Sequence, residues 1–207
     1  MNTKSLTVWV LSWGLALMAL TSHAALAQEL TGSVLVGALR TGGYVIVVRH
    51  ARSPRQAPDA RTANPDNTTR ERQLDATGRA DAISMGKAMR ALRIPIGRVL
   101  TSPAYRALET VRLAQWTQAE IIPELGDRGQ SMQGVTAVES RWLQDQVAQF
   151  QNGTNTIIVT HLPNITQAFP SDADVEDGDA LVFGPSAGNK VAVVGRIKAS
   201  EWVHLSE

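Results

Sequence analysis

Val45-Ile46-Val47-Val48-Arg49-His50 is a continuous run of β-branched apolar residues that ends on a guanidinium and an imidazole. The apolar positions do not alternate with polar ones, which is how a strand reads when helices cover both faces of its sheet. The arrangement recurs at Val99-Leu100-Thr101-Ser102-Pro103-Ala104-Tyr105-Arg106 and at Thr156-Ile157-Ile158-Val159-Thr160-His161. Such strands predict a parallel sheet, and in open α/β sheets ligands bind in the crevice beyond the carboxyl ends of the strands. The predicted fold class is therefore α/β, a three-layer α/β/α sandwich with a mostly parallel central sheet. Arg49, His50, Arg106 and His161 are expected to meet in one crevice.

Outward from these strands, Ser33 to Leu39 reads as a short helix, and Thr41-Gly42-Gly43 turns the chain into the first strand. Residues 51–74 form a polar stretch broken by Pro54, Pro58 and Pro65, a length of loop that is usually functional or disordered. Asp75 is placed to cap the next helix, whose apolar positions include Ile83, Met85, Ala88, Met89 and Leu92 before Pro95. Ser102-Pro103 reads as N-cap and first residue of a helix that carries Arg106 in its first turn, where free N–H groups favour an anion. A further helix is predicted over Val135 to Phe150, burying Val138, Trp142, Val147 and Phe150. Two final strands, Ala180 to Phe183 and Val191 to Ile197, flank a turn-rich connection.

Lys4, the apolar segment Leu6 to Leu20 and the small-residue triplet Ala25-Leu26-Ala27 predict a signal peptide over residues 1–27. A retained anchor is the alternative, but the apolar run is short of the ~20 residues a spanning helix needs. Residues 28–207 then make one domain, with no linker or repeat, and the expected location is the periplasm or outside the cell. Of the 20 Lys+Arg and 19 Asp+Glu, the leader holds only Lys4, so the domain is balanced at 19 against 19. That balance argues against nucleic-acid binding, which normally shows a basic excess. With no cysteine in the chain, thiol catalysis, thiolate metal sites and a disulfide scaffold are excluded.

Histidine can act as a nucleophile that forms a covalent intermediate, and arginine forks match phosphate oxygens in pairs. Phosphoryl transfer needs mostly positioning and charge stabilisation, so a histidine among arginines and a second histidine meets its demands without a metal. A lone histidine would read as an ordinary buried one; the shared strand context changes that. Taken together, Val48-Arg49-His50-Ala51, Leu74 through Ala82, Ser102 through Thr110 and Val159-Thr160-His161 resemble, in order and spacing, the motifs of the first branch of the histidine phosphatase superfamily, the phosphoglycerate mutase-like group. The tail from Gly178 to Trp202 is similar to small exported members.

The resemblance implies a phosphorylated nucleophile at His50, phosphate binding by Arg49 and Arg106, and stabilisation of the transferring oxygens by His161. It points to Glu124 as proton donor, with Asp127 as its rival. Ala51 stands where the family usually has glycine, and the turn is expected to survive. Arg52 and Ser53 are expected at the substrate because they come directly after the nucleophile, within an arginine-rich segment that would steer an anion. No metal or organic cofactor is implied, and the partner is a phosphorylated small molecule or glycan. The expected activity is hydrolysis of a phosphomonoester through phosphohistidine, on a phosphorylated envelope glycan. The alternatives are a protein phosphohistidine phosphatase and a non-catalytic phospholigand-binding protein; mutase activity is disfavoured by export.

Overall fold

The computed structural model describes residues 29–127, 134–186 and 190–206. The predicted signal peptide at 1–27 lies outside the described residues, as do Ala187, Gly188 and Asn189 of the predicted turn. In chain order the elements are α1 (Gly32–Thr41), β1 (Val45–Arg49), α2 (Ala76–Ala91), β2 (Ile96–Thr101), α3 (Tyr105–Ala114), β3 (Glu120–Ile121), α4 (Ala137–Val147), β4 (Asn155–Thr160), α5 (Leu162–Ala168), β5 (Ala180–Ser186) and β6 (Lys190–Ile197). The very short β3 and α5 were not predicted, because they carry too few residues to show a period.

The strands form one sheet in the order β3-β2-β4-β1-β5-β6. β1, β2, β3 and β4 are mutually parallel, while β5 runs antiparallel to β1 and β6 to β5. The continuous apolar strands have the predicted cause. Ile46 and Val48 of β1, with Ile157 and Val159 of β4, face a core shared with Leu35 and Leu39 of α1, Met85 and Met89 of α2 and Val111 of α3. Val45, Val47 and Ile158 face the opposite way, onto Leu143 and Val147 of α4 and Ile165 of α5. Helices on both faces make the three layers.

Asp75 caps α2 as expected, its Oδ1 accepting from Gly78 N at 2.9 Å. Gly78 is required there because a Cβ would lie 2.1 Å from the Arg52 carbonyl oxygen. The helix predicted over Val135 to Phe150 is shorter and differently rotated. Thr136 and Glu139 form a capping box that starts it at Ala137. Leu143 and Val147, four apart, face the core. Val138 lies about 140° round from Leu143 at 3.6 residues per turn, and it is 74% exposed. Trp142 and Phe150 are only partly buried, and Phe150 falls beyond the helix end.

The predicted N-cap at Ser102 is also corrected. Helix α3 begins at Tyr105, after Ala104, which makes no side-chain capping bond. Ser102 Oγ accepts from Ala104 N at 3.1 Å and has a second partner in His161.

Candidate active site

The carboxyl ends of β1, β2 and β4 are neighbours in the sheet, so the residues just beyond them emerge side by side. His50 N donates to Thr160 O at 2.9 Å and Ser102 N to Val159 O at 3.0 Å, which continues the ladder one step past the strands and aligns the two histidines. Their ring centroids are 5.2 Å apart. Arg106, in the first turn of α3, reaches across both: its Nε donates to His50 Nε2 at 3.2 Å and its Nη2 to His161 Nδ1 at 3.0 Å. His50, Arg106 and His161 are all buried, at 3%, 1% and 1% exposure.

These contacts settle the tautomers. A carbonyl can only accept, so His50 Nδ1 carries the proton it gives to Ala51 O at 2.8 Å, and Nε2 holds a lone pair. A guanidinium can only donate, so His161 Nδ1 is the acceptor and Nε2–H donates to Ser102 Oγ at 2.7 Å. Burial first, and then the Arg106 charge, lower the His50 pKa to about 3. The same causes, with His50 as a further one, hold His161 well below the ordinary imidazole value. Both rings are therefore neutral near pH 7, and the His50 Nε2 lone pair is available without prior deprotonation.

Ala51 is fully buried and outside the left-handed region of backbone space, so its methyl costs no strain. Its N–H donates to Thr110 Oγ1 at 3.1 Å, which ties the turn after His50 to α3. Thr110 in turn donates to the Arg106 carbonyl at 2.8 Å, so one hydroxyl couples the His50 turn to the helix that presents Arg106.

Arg49 and Arg106 each have a carboxylate partner. Arg49 Nη2 is 2.5 Å from Asp177 Oδ1, and its Nη1 donates to Val175 O at 2.7 Å. Arg106 Nη2 is ion-paired with Asp127, whose carboxylate is also 3.8 Å from His161 Nδ1. Asp127 arrives through a short 3-10 turn, Pro123–Leu125, which Asn164 of α5 holds by bonds to the Glu124 and Gly126 carbonyls, both 3.3 Å. Asp177 arrives because β5 is antiparallel and begins at the end where β1 finishes.

A cavity of about 250 Å³ opens over His50 and His161, lined also by Arg49, Ser53, Arg55, Arg72, Asp127, Leu162, Pro163 and Asp177. The structure thus brings Arg49, His50, Arg106, His161 and Ser53 together. It does not bring Glu124 to the cavity wall; Asp127, three residues on, is there. Arg52 does not line this cavity but an adjoining opening that shares Arg49, Ser53, Arg55 and Asp177 with it, its guanidinium exposed and paired with Asp75 at 2.9 Å. From the far end of the 51–74 segment Arg72 comes in instead. That segment has little regular structure but is pinned to α3: Leu74 N donates to Glu109 Oε2 at 2.8 Å, and Tyr105 N to Glu71 Oε2 at 3.0 Å.

Sequence reasoning missed Asp177 and the role of Ser102. Asp177 lies at no strand's carboxyl end, so no strand-end signal could mark it, and Ser102 next to proline carried a stronger helix-start signal.

Two buried imidazoles and two arginines lie at the carboxyl ends of parallel strands, where the strand-end reading of the sequence expected them. No family model and no curated protein matches the chain. Among solved structures it is similar to the protein histidine phosphatase SixA complexed with tungstate, at 18% identity and TM-score 0.54 over 76% of this chain and 98% of that one. It is also similar to a phosphoserine phosphatase mutant from Entamoeba histolytica in complex with phosphoserine, at 11% identity and TM-score 0.51 over 75% and 97% of the two chains. A Mycobacterium tuberculosis open reading frame product gives 18% identity and TM-score 0.51, with 76% and 98% covered. The chain has the histidine phosphatase fold, as the sequence motifs implied.

Proposed function

We propose that the protein is a phosphatase that hydrolyses a phosphomonoester through a phosphohistidine at His50. The observation that carries this is the neutral His50, with Nδ1–H given to Ala51 O and the Nε2 lone pair held beside Arg106 at the floor of a cationic cavity. In the first step His50 Nε2 attacks phosphorus and the bond to the leaving oxygen breaks. Arg49 and Arg106 hold the phosphoryl oxygens, and His161, fixed by Ser102, lines the same cavity beside His50. The leaving oxygen takes a proton from a group at the cavity; Asp127 lies there and Glu124 does not, and we assign the role to Asp127 on the condition that Arg106, in turning to the phosphoryl oxygens, gives up the ion pair so that the Asp127 carboxylate first takes up a proton. In the second step water attacks the phosphohistidine, phosphate leaves, and His50 is regenerated.

The leader-like segment at 1–27 supports export, and with it a periplasmic site of action on a phosphorylated envelope glycan, such as a lipopolysaccharide core heptose phosphate. No helix among the described residues is long and apolar enough to cross a membrane. A protein phosphohistidine is the second substrate class, and a phospholigand-binding protein without turnover is the reading from another class.

The test is a rapid-quench incubation with a labelled aryl phosphate and peptide mapping under conditions that preserve phosphohistidine, with His50→Ala as control. Label on His50 that decays with turnover is expected. A folded protein that binds phosphate but never acquires label would leave the binding reading in its place.

A further inference from the structure

The arginines at the cavity are compensated unequally. Arg49 is paired with Asp177 and Arg106 with Asp127. Arg72 is held differently: its Nε donates to Pro54 O and its Nη2 to Ser53 O, both at 2.8 Å, and among the described residues it makes no ion pair. Backbone carbonyls orient a guanidinium without neutralising it. Arg72 is close enough to act electrostatically on both histidines, and on His161 more strongly than Arg49 does. Arg55, exposed at the cavity mouth, likewise has no carboxylate partner among the described residues. With both histidines neutral, the four arginines Arg49, Arg55, Arg72 and Arg106 face the two carboxylates Asp127 and Asp177, which also attract Arg72, and the site keeps an excess of two positive charges. A phosphomonoester dianion carries the matching charge.

We propose that Arg72 is a phosphate-binding residue of this site, and that the 51–74 segment works as the element supplying the cavity's net charge for a dianionic phosphoryl group. The fold of the segment serves this placement. Asn67 binds Glu71 at both ends, accepting from its N at 2.9 Å and donating to its O at 2.7 Å, one residue before Arg72. Glu71 is itself anchored to Tyr105 N, at the start of the helix that carries Arg106. Arg72 and Arg106 are thus held in register through one carboxylate. This rests on the phosphatase reading for its catalytic meaning, but the binding claim stands on the cavity alone.

The experiment is calorimetric titration of the purified protein with inorganic phosphate at low ionic strength, comparing wild type, Arg72→Gln, Arg72→Lys, Asn67→Ala and Arg61→Gln. Arg61 belongs to the same segment but its side chain is 92% exposed and does not line the cavity, so it controls for a general loss of charge. Arg72→Gln is expected to weaken phosphate binding at least tenfold, Arg72→Lys to retain part of the affinity, and Arg61→Gln to change it less than twofold. Arg72→Gln within twofold of wild type would overturn the proposal. So would Arg72→Gln and Arg72→Lys both losing no more than Asn67→Ala, since that would make Arg72 a loop strut. Because the titration needs no turnover, absence of phosphohistidine would remove the enzymatic reading and leave this one standing.

Discussion

Arg106 donates its Nε–H to His50 Nε2 across 3.2 Å, so the lone pair that attacks phosphorus in the proposed reaction is engaged by the guanidinium proposed to clamp the phosphoryl oxygens. In that reaction a bound phosphoryl group would offer Arg106 stronger, charged acceptors than a neutral imidazole, and its binding would free the lone pair. In the proposed reaction one contact would therefore link the attacking group to its clamp.

This makes Arg106→Lys informative. Lysine keeps the charge but cannot bond His50, His161 and Asp127 from one rigid fork. We expect kcat/KM for an aryl phosphate to fall about 10²–10³-fold, the usual loss when a charge-stabilising donor is removed from a transition state. Steady-state kinetics on the folded variant checks this, and a loss under tenfold would mean that the fork geometry is not used.

The position of Asp127 against that of Glu124 gives a second prediction. Asp127→Asn is expected to slow hydrolysis of a substrate with a poor leaving group, such as an alkyl phosphate, by about 10²-fold, within the range for general acid catalysis. The defect should shrink with an activated aryl phosphate, whose leaving oxygen needs no proton. Glu124→Gln should show no such dependence on the leaving group, and the reverse pattern would restore Glu124 as the acid.

The buried histidines set the response of stability to pH. Both have folded-state pKa values depressed below the unfolded value, His50 from 6.5 to about 3 and His161 in the same direction. Below the unfolded pKa the unfolded chain binds protons that the native state refuses, so the stability present above about pH 6.5 is lost as pH falls towards the folded pKa. Each such histidine contributes a slope of about 1.4 kcal/mol per pH unit. Urea unfolding between pH 6 and pH 4 should show His50→Gln with a slope shallower by about one proton. An unchanged slope would mean that His50 is already protonated in the native state.

Gly78→Ala tests how the loop after His50 is held. The added Cβ would meet the Arg52 carbonyl oxygen at 2.1 Å, backbone against backbone, so either α2 or the His50–Arg52 turn must move. We expect a loss of about 1–3 kcal/mol, typical of overpacking, together with impaired phosphohistidine formation. Thermal unfolding and the quench assay measure the two effects, and a fully stable, fully active variant would show that the turn is not confined there.

Residue order was enough to locate the strand cores and the functional groups at their ends. Continuous β-branched runs specify buried parallel strands, and covalent adjacency carries Arg49, His50 and His161 to the strand ends; Arg106 is placed by the helix that begins after Ser102-Pro103. The period of α4 was less legible, because Val138 is as apolar as Leu143 and only packing against the sheet shows that Leu143 and Val147 form the buried face. Other features depend on how distant segments pack. Which carboxylate reaches the cavity, Asp127 over Glu124, depends on how Asn164 holds a short 3-10 turn. Which arginine enters from the long loop, Arg72 over Arg52, depends on where the loop is pinned to α3 and on Asp75 drawing Arg52 away. Asp177 reaches Arg49 only because β5 turns antiparallel. The neutrality of His50 is likewise a property of its surroundings, since burial and neighbouring charge exist only once segments far apart in the chain have come together.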